Sequence, residues 1–247
     1  MKKRFQFLFF VFLATFCLRA EEPASVFNQA NKFYEQGKYS ESAAVYEKLI
    51  QSGSASTPVY FNLGNAFLKS GQLGRAIAAY RYAEKLSPRD PDVRANLRFT
   101  RDQTGARPPR RWQNWIGRLT VNEWTISTLI ATSILFLLLA VRHLRPNWKK
   151  SFRGGLLVLG IVSGFLVVCL GSAIRQEFFE KSSVVIVPEA VIRRGPLEES
   201  QSAFTLRDGA EVTVLDQKGD WLQIADASHR TGWLPQRQAM ELRDGSR

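Results

Sequence analysis

The stretch YFNLGNAFLKSGQLGRAIAAYRYAEKLSP, Tyr60 to Pro88, decides how the first part of this chain folds. Gly64, Phe67, Gly71, Leu73 and Tyr80 stand 34 residues after Ala30, Phe33, Gly37, Tyr39 and Tyr46. A period of that length belongs to a helix-turn-helix unit that stacks on copies of itself. Ala30 and Gly64 are small where two helices cross closely. Gly37 and Gly71 fall at the turn between helices, where a missing Cβ eases the backbone. Ser42 and Ala76 are small again, Tyr46 and Tyr80 fill the core, and Pro88 stops the last helix. The first copy is Pro23 to Ser56 and the second Thr57 to Asp90. Pro91 to Gln103 supplies one more helix, through Val93 and Leu97, that caps the stack, so this domain spans 23–103. Two repeats are few, and a partner's repeat or the membrane is an expected completion of the array.

Tyr60-x-x-Leu63-Gly64-x-x-Phe67 with Ala76, Tyr80, Ala83 and Pro88 resembles the tetratricopeptide repeat. The first copy is looser, with Ser42 and Leu49 in place of alanines. The resemblance implies that the first helix of each repeat lines a concave groove. The groove positions are Phe27, Asn28, Asn31 and Tyr34, then Phe61, Asn62, Asn65 and Leu68. Asparagine amides can hydrogen-bond an extended peptide backbone or its carboxylate, and the aromatics offer apolar pockets. The competing reading is that these asparagines cap turns or face solvent.

Outward from the repeat, both flanks point to a membrane. Lys2, Lys3 and Arg4 precede an apolar run from Phe5 to Phe16, read as an export signal over 1–20. Residues 124–144 and 154–174 are apolar stretches, each about 21 residues or about 30 Å as a helix, the thickness of a bilayer core. Residues 104–123 form a linker, or an interfacial helix with Trp112, Trp115, Ile116 and Leu119 on one face. Between the spans, 145–153 is short and, with Arg142 just before it, rich in Arg and Lys, which places it in the cytoplasm. The exported N-terminus requires the same orientation. Arg107, Arg110, Arg111 and Arg118 argue the other way. In the second span Gly160-x-x-x-Gly164 is a weak signal for close helix packing.

After Lys181 the pattern changes to short alternating runs with turns at Gly195-Pro196, Asp208-Gly209 and Gly219-Asp220. About five strands in residues 182–243 are expected to close into a small all-β barrel. Ala190-Val191-Ile192-Arg193, Leu206-x-x-Gly209-x-x-Val212, Gly219-Asp220-Trp221-Leu222-x-Ile224 and Gly232-Trp233-Leu234 make this part similar to the bacterial SH3-like domain. That resemblance implies binding of peptides or cell-wall fragments, or a spacer role. Trp221 is expected half-exposed or core-facing and Trp233 in the core; the two also form a possible ligand face.

The residues offer little chemistry. His143 and His229 are the two histidines, and Cys17 and Cys169 the two cysteines, both in apolar runs. That leaves no zinc-type site and no exported thiol nucleophile. Phosphate loops and Gly-x-Ser-x-Gly elbows are absent. No enzyme, cofactor or metal is expected. The net charge of +12 lies largely beside the spans, so nucleic acid is not an expected partner.

The order of signal, repeats, two spans and SH3-like tail resembles the BatE-type proteins of bacterial aerotolerance operons. The resemblance implies a bacterial inner-membrane protein with both soluble domains in the periplasm. It also implies von Willebrand A-domain partner proteins. The expected function is a non-enzymatic scaffold that gathers partner proteins. The alternative is an envelope-binding module whose SH3-like domain holds peptidoglycan, and a signal-transducing regulator is a third reading.

Overall fold

The computed structural model describes residues 23–106, 116, 119–144, 153–179 and 181–241. The expected leader, Trp112 and Trp115, and the loop carrying Trp148 lie outside these residues. The chain divides into two units: one joins the residues up to 107 to those from 182 onward, and the other spans 108–181.

The first unit opens with five helices: α1 (23–35), α2 (Tyr39–Gln51), α3 (Thr57–Lys69), α4 (Leu73–Leu86) and α5 (Pro91–Thr104). Gly37 and Gly71 take φ of 73° and 78° at the two α–α turns, a conformation costly for a side chain with a Cβ. Pro91 opens α5, and the Asp90 carboxylate accepts from the N–H groups of Asp92 at 3.0 Å and Val93 at 3.2 Å. Consecutive helices pack on one another, with Tyr46, Leu63, Phe67, Ile77, Tyr80 and Leu97 in a shared core. A Cβ at position 64 would lie 2.6 Å from the Tyr80 ring, so the small residue there is set by packing. Each such buried aromatic or aliphatic side chain contributes about 1.5–3 kcal/mol.

The β part has seven strands: β1 (Lys181–Val185), β2 (Glu189–Arg193), β3 (Ser202–Arg207), β4 (Glu211–Lys218), β5 (Trp221–Ala225), β6 (Thr231–Pro235) and β7 (Ala239–Glu241). A 3-10 turn at Gln236–Gln238 precedes β7. They form one sheet in the order β3-β2-β6-β5-β4-β1-β7. The core draws Val185, Ile192, Leu206, Val212, Ile224, Leu234 and Ala239, one from each strand, so the sheet is curved. It does not close. The expected barrel is corrected to an open sheet, with β3 and β7 as its edges. The physical reason lies at β7. There the Tyr82 hydroxyl of α4 donates to the Glu241 carbonyl at 2.8 Å, and Met240 packs on the helical core. The helices cover an edge that closure would otherwise have satisfied.

Strand β1 joins the two cores by its alternation. Val184 is fully buried among the helices, and its neighbour Val185 is fully buried in the sheet. The chain's own sheet thus contributes Val184 to the helical core, with Met240 packed against it.

The second unit is a pair of long helices, α6 (Val121–Leu144) and α7 (Arg153–Phe179), packed on each other. Thr120 and Glu123 start α6 with a capping box: the Thr120 N–H donates to Glu123 Oε2 at 2.9 Å, and the Glu123 N–H to Thr120 Oγ1 at 3.2 Å. Trp124 is buried, with its Nε1–H donating to the Ile116 carbonyl at 3.1 Å. It packs with Cys169 and Ala173 of α7, and Ile116 and Leu119 join this cluster. Both helices are long and apolar enough to cross a membrane, and 17% of each apolar window is buried. Leu129, Phe136, Ile161 and Val168 are among the uncovered side chains.

Candidate functional site

The groove residues named from the repeat lie on α1 and α3, and a hydrogen-bond ladder ties several of them together. Asn31 Oδ1 accepts from the Tyr46 hydroxyl and from Asn62 Nδ2, the latter at 3.2 Å. One repeat on, Asn65 Oδ1 accepts from the Tyr80 hydroxyl at 2.7 Å and from Asn96 Nδ2 at 2.9 Å. The tyrosine comes from the second helix of the same repeat and the second asparagine from the first helix of the next. The ladder thus runs α1 to α3 to α5. Both tyrosine hydroxyls are held above their ordinary pKa by burial, so they stay protonated donors.

This geometry fixes the orientation of two amides. With both Oδ1 atoms occupied by donors, each remaining Nδ2 of Asn31 and Asn65 has no acceptor among the described residues. Phe27 packs edge-on to Tyr46 at 5.7 Å, and Phe61 lies tilted on Tyr80 at 6.0 Å. Tyr34 meets Tyr39 edge-on at 5.2 Å, and Leu68 packs partly buried on the core. Asn28 is exposed. Asn96 is the member that the sequence reading left out. Its signal was present: Asn28, Asn62 and Asn96 repeat every 34 residues.

A second constellation lies where the repeat meets the sheet. Arg101 donates to Glu211 with Nε at 2.7 Å and Nη2 at 3.0 Å. Arg81 pairs with the same carboxylate at 3.2 Å and donates to Glu84 at 2.7 Å. Two cations and two anions balance there. Burial pulls the Arg81 guanidinium below its ordinary pKa, opposed by Glu211 and Glu84. Nearby, the Gly74 N–H donates to Asp208 Oδ2 at 3.1 Å. A Cβ on Gly74 would collide with Asp208 Oδ1 and the Val185 carbonyl. A cleft of about 320 Å³ beside this junction is lined by Thr104, Asp208, Glu211 and Asp226. Its carboxylates are already engaged, Asp226 by Arg230 at 2.7 Å. The arrangement fastens two lobes together; it places no nucleophile against a base.

On the sheet, Trp221 and Trp233 are half-buried and outside the apolar core, which takes Leu222, Ile224 and Leu234 instead. The core position expected for Trp233 is thereby corrected. The β5–β6 register pairs Gln223 with Trp233 and Trp221 with Pro235, so both indoles share the face opposite the core. Among the described residues no cluster of three or more His, Cys, Asp or Glu is placed to hold a metal.

Residues 27–91 match the tetratricopeptide repeat family, and residues 187–239 match the bacterial SH3 domain family. No curated protein matches the chain. Among solved structures, the Yersinia enterocolitica type III secretion chaperone SycD, in complex with a peptide of the translocator YopD, is similar at 18% identity. The match covers 62% of this chain and 93% of that one, with a TM-score of 0.32, too low to carry an argument. The repeat and SH3-type folds are non-catalytic scaffold and adaptor folds, consistent with a non-enzymatic protein. It combines a helical-repeat protein-binding module with a β-sheet domain.

Proposed function

We propose that this protein is a membrane-tethered scaffold that binds an extended segment of a partner protein across α1, α3 and α5. The observation that carries the reading is the pair of oriented amides, Asn31 and Asn65, each with its carbonyl oxygen anchored and its Nδ2 donor uncommitted. Donors one repeat apart suit the carbonyls of an extended chain. Phe27, Phe61, Tyr34 and Leu68 flank them as apolar contacts. The two apolar helices act as the tether, with repeat and sheet in the periplasm. Partners of the Bat type, with von Willebrand A domains in an envelope or oxidative-stress complex, fit the domain order.

The test is crosslinked capture from native membranes by a chain carrying Asn31→Asp and Asn65→Asp. Aspartate keeps an oxygen for the tyrosine and asparagine donors but removes the free Nδ2. Loss of the crosslinked partners with unchanged folding supports the groove; unchanged capture overturns it.

A second reading rests on the outward Trp221 and Trp233. Two half-buried indoles on one face of the sheet suit a peptidoglycan fragment. Titration of the full chain with muropeptides tests it, and absence of saturable binding removes it.

A further inference from the structure

The chain order sets up a dependence. The repeat is made first, α6 and α7 next, and the sheet last. Yet the repeat and the sheet form one unit, joined by contacts between residues 110 to 159 positions apart. Those contacts complete the helices. The N-terminal flank of α4, Gln72, offers no side-chain cap, and the Asp208 carboxylate fills that place from the sheet. Arg81 and Arg101 find their shared carboxylate in Glu211, and Val184 fills the helical core.

We infer that this junction is an interlock: the repeat reaches its closed state only when the chain's C-terminal part has arrived on the same side of the bilayer. The inference rests on reading α6 and α7 as a membrane-crossing hairpin. Two crossings return the chain to the side it left, and the sheet can dock. A single crossing strands the sheet on the far side. The cap, the ion-pair network, the Tyr82 contact and the Val184 insertion are then lost together. The repeat of a wrongly inserted chain is left loosened and open to proteases, whereas a correctly inserted one is sealed.

The experiment uses the full chain in spheroplasts with two variants. Deleting residues 154–174 leaves one span. Gly74→Ala leaves both spans but wedges a methyl group against Asp208 and the Val185 carbonyl. Alanine favours helix over glycine, so any loosening of α4 in that variant acts through the junction. The readouts are protease half-life of residues 23–106, hydrogen exchange of the α4 amides, and sidedness of a C-terminal tag. The interlock predicts that the deletion moves the tag inside and shortens the half-life at least tenfold. It also predicts at least tenfold faster α4 exchange for Gly74→Ala with the tag still outside. A repeat that stays resistant after the tag moves inside overturns the interlock. A tag that stays outside after the deletion also overturns it, through the failure of the crossing. The Gly74→Ala arm then shows whether the docking contact itself still holds.

Discussion

The Asp208 carboxylate accepts the Gly74 N–H at 3.1 Å, so a turn of the sheet caps the first turn of a helix 134 residues earlier in the chain. The absent side chain at position 74 makes room for that approach. Gly74→Ala is expected to destabilise the protein by about 1–3 kcal/mol through overpacking, net of the small gain in helix propensity. Urea unfolding of the purified chain measures it. A variant as stable as the parent, or more so, shows that the junction yields without cost.

Glu211 is shared by two arginines, and its side chain and that of Arg81 are 2% and 3% exposed. Removing it leaves buried positive charge with too little compensation. Glu211→Ala should cost about 3–5 kcal/mol, the range for breaking a buried pair from one side. An exposed control, Glu198→Ala, removes a loose pair with Arg237 at 3.3 Å and should change stability little. Equal losses for the two variants contradict the buried network.

Burial holds the Asp208 carboxyl above its ordinary value of 3.8, against the opposing pull of the Gly74 and Gly209 N–H groups and Arg75. The folded state therefore binds this proton more tightly than the unfolded chain does. Its contribution to stability is fully present below about pH 3.8 and is lost as pH rises through the raised folded value. Asp208→Asn keeps an oxygen for Gly74 and removes the titration. The stability of the parent relative to that variant should fall between pH 4 and pH 7. A relative stability that rises over the same interval has the wrong sign.

Tyr80→Phe removes the hydroxyl that anchors Asn65, and Tyr46→Phe does the same for Asn31. Each should cost about 0.5–1.5 kcal/mol, the net worth of one such bond. Partner capture should fall as well, because the amide loses its fixed orientation. Stability loss with capture unchanged would detach the ladder from binding.

The helical part was legible because each repeat solves the same packing problem with the same residue types. The small residue at Gly64, the core position of Tyr80 and the turn at Gly71 follow from the period; that Gly64 meets the Tyr80 ring is seen only in the structure. Asn96 is legible by that period too, since it stands 34 residues after Asn62 on the helix that caps the stack. Thr120-x-x-Glu123 was a readable helix start that the apolar run overshadowed. Other features had no local signal. Nothing near Gly74 or Arg81 announces Asp208 or Glu211, since the contacts join distant parts of the chain and follow no period. Closure of the sheet depends on what satisfies its last edge, and here Tyr82 of a helix does so. Trp233 was misplaced because Thr231 to Leu234 is too short a run to fix which face is buried. The pairing with β5, whose Leu222 and Ile224 turn inward with Leu234, decides it.

A photo-crosslinking residue placed at position 28, an exposed groove position outside the hydrogen-bond ladder, tests partner binding most directly. The control is the same probe at Lys48, exposed on α2. In native membranes the account predicts a discrete adduct from position 28 that is lost with Asn31→Asp and Asn65→Asp, and none from position 48. Adducts of equal yield at both positions, or one at 28 that persists in the double variant, would contradict it.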